Sequence, residues 1–221
     1  MWDNATIMML VKETGTTLFI TLSSTVFGYA LGLPLGILLV VTAKDGLWPN
    51  AVIYKILDVT VNVIRSVPFL ILMMMLIPFT RFVVGKSYGA AATIVPLTIA
   101  AAPFIARLVE SSLLEVDKGV IEAAQSMGAG TGTIVWKVLL AEARTSLIVG
   151  ATITLGTILG YSAMAGVVGG GGLGDVAIRY GYFRYQADIM IVTVALLVIL
   201  VQILQVIGTK LSKKLDKRIT G

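Results

Sequence analysis

The chain has 221 residues, of which 57% are hydrophobic and only 13% are charged, and its mean hydropathy is +0.95. A soluble globule of this size would expose large apolar patches, so the composition indicates an integral membrane protein, and the net charge of +5 fits basic cytoplasmic loops rather than a nucleic-acid partner. The absence of histidine and cysteine excludes Ser-His-Asp and Cys-His catalysis, disulfides and metal sites built from those ligands.

Apolar stretches long enough to cross a bilayer as helices, in which Arg65 is the one charged residue, predict an all-α membrane protein with five transmembrane spans. These are residues 14–43, 59–80, 87–106, 145–168 and 189–209. Residues 1–13 are predicted to be an external segment, residues 107–144 a cytoplasmic loop and residues 210–221 a basic cytoplasmic tail. Twelve of the 17 Lys and Arg residues lie on the side of that loop and tail, which predicts an N-out, C-in orientation.

The spans also carry a packing pattern. Small residues recur at helical spacing in the first span, which predicts close approach of another helix: Thr14, Thr17, Thr21, Thr25, Gly28, Gly32 and Gly36. Prolines within the predicted spans indicate kinks. No Asp or Glu lies inside a predicted span, which disfavours an ion-coupled carrier and indicates that a partner protein supplies the driving force.

The loop 107–144 contains a short predicted helix from about Lys118 to Met127. Asp117 is suited to cap its start, and Gly128 is suited to end it in a left-handed turn. Two small residues beside one carboxylate, in Glu122-Ala123-Ala124, would let a partner surface come close and make one directional contact. An amphipathic helix lying on the membrane is the alternative interpretation.

The spacing Glu122-Ala123-Ala124, three residues, Gly128, nine residues, Val138-Leu139-Leu140 resembles the EAA loop of permease subunits of ABC importers. Ala141 stands where that pattern has proline. The stretches 65–85, 94–110 and 160–182 resemble the methionine importer permeases, and the likeness covers nearly the whole chain. The resemblance implies the type I ABC importer permease fold in a bacterial inner membrane. It implies that Glu122, Ala123, Ala124 and Gly128 form a coupling helix docked on a cytoplasmic ATPase.

The resemblance also implies the partners and the cargo. Two copies of the permease would form a homodimer, bind two ATPase subunits, receive substrate from an external binding protein and translocate methionine in its D form, its L form or both. ATP and Mg would be bound by the ATPase, because this chain lacks the P-loop string GxxxxGK[ST], and no catalytic residue, cofactor or metal is assigned to the chain itself. A permease for another amino acid is the nearest alternative.

Six glycines between Gly166 and Gly174 predict that the fourth span ends in an irregular turn. Met164 lies just before this turn, where the side chains of two subunits could meet on a two-fold axis as an outer gate; packing within one subunit is the alternative.

The string GxGD, which ends at Asp175, also resembles membrane aspartic proteases. Those enzymes need a second intramembrane carboxylate, whereas the candidate here, Asp188, lies in the same predicted external loop.

Arginines and tyrosines alternate between residues 177 and 185. Arg179 and Arg184 are candidate contacts for the external binding protein. Anchoring of the tyrosines at the membrane interface is the alternative interpretation.

Overall fold

The computed structural model describes residues 3–215, in which helices are joined by short turns and no strand occurs. In chain order the helices are α1 (Asn4–Thr42), α2 (Ala51–Ser66), α3 (Phe69–Met75), α4 (Ile77–Val84), α5 (Ala90–Leu114), α6 (Lys118–Ser126), α7 (residues 131–142), α8 (Arg144–Ala165), α9 (residues 172–182) and α10 (Ala187–Leu215). Helices α7 and α9 contain π-helical stretches at Ile134–Leu139 and Ala177–Tyr182.

Within residues 3–215, four helical segments are each long and apolar enough to cross a membrane: α1, α5, Arg144–Val168 and α10. A fifth crossing is obtained when α2 and α3 are counted together, and these two helices are bent by 103° at the break between them. Five crossings therefore require a broken span. The predicted second span, residues 59–80, is divided among α2, α3 and α4, so the kink expected from its prolines is a full break at Val67.

Two prolines explain the breaks in that region. Pro68 disfavours helical geometry in the preceding residue, and Val67 is accordingly extended, with φ −79° and ψ 125°. Pro78 lies in the first turn of α4, where a missing N–H leaves no hydrogen bond unmade, so it begins a helix rather than kinking one. Pro34, Pro96 and Pro103 do lie inside helices, as predicted.

The long first helix begins ten residues before the predicted span. Asp3 caps it by accepting hydrogen bonds from the hydroxyl of Thr6 at 2.7 Å and from the Thr6 backbone N–H at 2.8 Å, and these bonds lower the pKa of the Asp3 carboxyl. Its 39 residues extend about 58 Å, well beyond a hydrocarbon core of about 30 Å. Most of the predicted segment 1–13 is thus part of α1. At the other terminus, α10 includes residues 210–215 of the predicted tail, and 216–221 lie outside the described residues.

Contacts between residues far apart in the sequence show which helix termini lie together at each end of the bundle. At the α6 end, Arg144 at the start of α8 donates to the carbonyl of Leu215 at the end of α10, at 3.0 Å. At the α9 end, Gly89 before α5 donates to the carbonyl of Gly169 after α8, at 2.9 Å. Helix α5 therefore runs from the α9 end to the α6 end, and α8 runs back. Helix α1 runs parallel to α5, because Gly28, Gly32 and Gly36 face successively later residues of α5.

The most extensive packing in the molecule joins α1 to α5. Gly28, Gly32 and Gly36 are buried in this contact, and a Cβ added to any of them would lie within 3.0 Å of α5 atoms. The predicted small-residue face of the first span is confirmed, because the close approach of α5 leaves no room for a Cβ at any of these three glycines.

Candidate functional site

The predicted short helix between the third and fourth spans is present as α6. The Asp117 carboxylate accepts from the backbone N–H of Gly119 at 2.7 Å, which caps the helix at its start. After its end, Gly128 adopts φ +78° and its N–H donates to the Gln125 carbonyl at 2.9 Å. The predicted cap and the predicted left-handed turn are both confirmed.

The four residues expected to dock a partner do not share one environment. Glu122, Ala123 and Gly128 are exposed, whereas Ala124 is only 5% exposed and belongs to the chain's own core. Ala124 lies in the same buried cluster as Ile134 of α7. A small side chain at position 124 therefore lets α6 sit closely on α7, and the surface open to a partner is formed by the other three residues.

Sequence reasoning missed an apolar component of this surface. Met127 is 81% exposed directly after α6, and Val120 on the first turn of α6 is exposed as well. Exposed large apolar side chains on a short helix that also carries Lys118 and Glu122 indicate an interaction surface, because their burial by a partner is favourable whereas their exposure to water stabilises nothing. The exposed face of α6 thus combines one carboxylate with two apolar side chains.

A network of charges lies near the same end of the bundle. Arg107 on α5 forms a hydrogen-bonded ion pair with Asp58 on α2, and a second with Glu110 at 2.6 Å. All three side chains are at least two-thirds buried. The network ties the first half of the broken span to α5. No local sequence signal indicates that Asp58 and Arg107, 49 positions apart, would pair.

The α9 end holds the glycine-rich turn. Gly169, Gly171 and Gly172 all have positive φ, between 75° and 79°, which explains why glycine occupies these positions. A 3-10 turn at Gly166–Val168 ends the fourth crossing, as the glycine content predicts. Thr93 on α5 donates to the Gly170 carbonyl at 3.1 Å, so the turn is anchored on a neighbouring helix.

Met164 lies one residue from the end of α8 and is 41% exposed. Three residues earlier, Tyr161 stacks on Phe69, with ring centroids 4.5 Å apart and planes inclined by 3°. Phe69 is the first residue of α3, so the second half of the broken span packs directly on the helix that carries Met164. This aromatic contact was not predicted from the sequence.

The two arginines proposed as partner contacts differ in their surroundings. Arg179 donates to the Asp175 carboxylate at 2.5 Å, one turn earlier in α9. The guanidinium of the exposed Arg184 lies 4.5 Å from the centre of the Tyr180 ring. Asp175 is thus engaged with a cation rather than with a second carboxylate, in contrast to the pair that an aspartic protease requires.

Comparisons with known proteins agree along the length of the chain. Residues 32–221 match the family described as "Binding-protein-dependent transport system inner membrane component". The probable D-methionine transport system permease protein MetI of Vibrio cholerae is 53% identical over 95% of this chain and 93% of its own length. The methionine import system permease protein MetP of Bacillus subtilis is 47% identical over 82% of each chain.

A solved structure gives the same result. A chain of the inward-facing MetNI methionine ABC transporter superposes with a TM-score of 0.96 at 47% sequence identity, covering 98% of this chain and 100% of that one. The match confirms the predicted all-α permease fold of an ABC importer, and the family description confirms an inner-membrane location. The family is one of membrane permeases rather than catalytic subunits. The chain belongs to the inner membrane components of binding-protein-dependent transport systems.

Proposed function

We propose that this chain is the membrane-spanning permease subunit of an ATP-driven importer that translocates methionine in its D form, its L form or both. The observation that carries the proposal is identity of 44–53% over at least 91% of this chain to three relatives named as probable D-methionine transport permeases. Because the aligned region covers at least 91% of this chain, it includes the helices that would line a transport path and the helix that would dock an ATPase.

The working assembly in this proposal is a homodimer of the chain with two ATPase subunits and an external substrate-binding protein. ATP and Mg are bound by the ATPase subunits. The α6 end lies in the cytoplasm and the α9 end lies outside, in keeping with the excess of Lys and Arg on the side of α6 and of the tail. Arg184, exposed at the α9 end, is a candidate contact for the binding protein, and Arg179 beside Asp175 is a second.

In this assembly, Glu122, Ala123 and Gly128 face the ATPase, and Ala124 seats α6 on α7. Movement of the ATPase pair displaces α6, and α7 must follow because the two share a buried cluster. Only Ala143 separates α7 from α8, so the displacement passes into α8. Helix α8 has 22 residues and extends about 33 Å to the opposite end of the bundle, where it carries Met164.

Met164 is the outer gate in this proposal. Its partial exposure in the single chain leaves an apolar side chain available to meet its counterpart across a two-fold axis. Methionine suits a gate because its flexible thioether fills irregular gaps and separates after small helix movements.

The test is uptake of labelled methionine by proteoliposomes that contain the chain with its own ATPase and binding protein. Uptake that requires ATP, and that unlabelled methionine but not unlabelled histidine suppresses, supports the proposal. Glu122→Lys should abolish ATP-dependent uptake, whereas the matched change Asp45→Lys, at an exposed position in the α1–α2 turn, should preserve it. ATP-independent uptake by the chain alone, or suppression by another amino acid and not by methionine, would overturn it.

A further inference from the structure

The start of α9 is fastened to α1 by two hydrogen bonds between residues more than 150 positions apart. The Glu13 carboxylate accepts from the backbone N–H of Gly172 at 2.8 Å, and the Thr17 hydroxyl oxygen accepts from the N–H of Leu173 at 2.8 Å. The first four N–H groups of a helix have no acceptor within their own helix, and α1 supplies acceptors for two of them.

These acceptors cannot be replaced easily by water. Thr17 is 2% exposed and Leu173 is fully buried, so loss of the hydroxyl would leave a buried N–H without a partner. The Thr17 hydroxyl donates its own proton to the Glu13 carbonyl at 3.0 Å, which orients its oxygen toward α9. Glu13 is half-buried, and its charge strengthens the bond to Gly172.

Helix α9 is also in backbone contact with the end of α8, on both sides of Met164. A Cβ added to Gly174 would lie 2.2 Å from the carbonyl oxygen of Ala163, and one added to Gly166 would lie 2.3 Å from the carbonyl carbon of Gly174. Two backbones this close leave no compressible space between them, so a displacement of α9 must move the end of α8.

The glycine-rich turn itself is held separately, by Gly89 and Thr93 of the α5 region. Loss of the α1 contacts would therefore shift α9 without dissolving the turn. We infer that Glu13 and Thr17 are positioning residues for Met164, acting through α9. The inference rests on the proposed function, since it gives the outer end of α1 a part in setting the gate.

The absence of cysteine in the chain provides a direct test, because Met164→Cys introduces a single thiol. In the detergent-purified complex with the ATPase, the rate of reaction of this thiol with a maleimide reports the position of the end of α8. Glu13→Ala and Thr17→Val, each added to Met164→Cys, should change that rate by about fivefold, as expected for loss of a buried hydrogen bond.

Thr14→Val is the matched control, since the Thr14 hydroxyl donates only to the Leu10 carbonyl of its own helix, at 2.7 Å. It should leave the labelling rate unchanged. Unchanged labelling in both Glu13→Ala and Thr17→Val, with normal elution of the complex, would overturn the inference. If Glu13→Ala does not assemble, Glu13→Gln replaces it; the amide oxygen still accepts, so a smaller change in the same direction is expected.

A second measurement separates this inference from the proposed function. With Met164 intact, Glu13→Ala should raise the ATP hydrolysed per methionine imported by proteoliposomes. Altered labelling with unaltered coupling would support the positioning role and remove Met164 as the gate. Absence of methionine uptake by the unmodified complex would overturn the proposed function, while the labelling rates would still decide the positioning role.

Discussion

Gly36→Ala tests whether the stability of the bundle depends on close packing of α1 against α5. A Cβ on Gly36 would lie 2.6 Å from both the Ala106 carbonyl oxygen and the Val109 Cβ, whereas ordinary contact begins at 3.4 Å. Both obstacles belong to buried parts of α5, so the helices would have to separate locally by about 0.8 Å. Overpacking of this kind costs about 1–3 kcal/mol, a factor of roughly 5 to 160 in the unfolding equilibrium.

The measurement is the apparent Tm of the detergent-purified complex. It is the temperature at which half of the complex still elutes as a single species after heating. For a chain of this length, Gly36→Ala should lower that temperature by about 2–12 °C. Gly15→Ala is the control, because Gly15 lies in the same helix with no atom within 4 Å of an added Cβ. It should be neutral or stabilising by up to about 1 kcal/mol. Equal Tm values for the two variants would refute the reasoning that the contact permits only glycine.

Three other predictions concern the two ends of the bundle. If Met164 is the gate, as proposed, Met164→Gly should leave the complex assembled but raise the ATP hydrolysed per methionine imported in proteoliposomes, because the gate would lose its apolar side chain. Met127→Ser should weaken binding of the ATPase by a factor of about 10 to 160, measured as its recovery on affinity purification of the chain, since burying a methionine side chain contributes about 1.5–3 kcal/mol. Arg107→Met should lower the apparent Tm of the complex, because it leaves the carboxylates of Asp58 and Glu110 partly buried without a cation, at a cost of about 1–3 kcal/mol.

Local and periodic signals in the sequence were sufficient for much of the fold. The bounds of α6 followed from a capping Asp117 and a terminating Gly128, each of which acts through its nearest backbone neighbours. The packing face of α1 followed from glycines spaced four residues apart. The family resemblance rested on the EAA spacing around Glu122, and the comparisons confirmed it.

The broken span was beyond such signals. Hydropathy averages over a window and treats residues 59–80 as one apolar stretch, while Pro68 indicates a bend without fixing its angle. The observed 103° depends on where α3 packs, which is against α5 and against α8, where Tyr161 stacks on Phe69. A contact between residues 92 positions apart is decided by the whole bundle, so the sequence of the span alone could not predict it.

The same limitation applies to the candidate site, and there it has a functional consequence. Met164 was identified from its position before a glycine turn, yet the groups that hold that position come from distant parts of the chain: Glu13 and Thr17 through α9, and Phe69 through Tyr161. In the proposed assembly, where Met164 is a gate that responds to an ATPase at the far end of the bundle, bonds within the turn alone cannot set its position, because those bonds would move with it. Contacts from other helices are therefore needed to set its position, and α1, through Glu13 and Thr17, and α3, through Phe69, make such contacts.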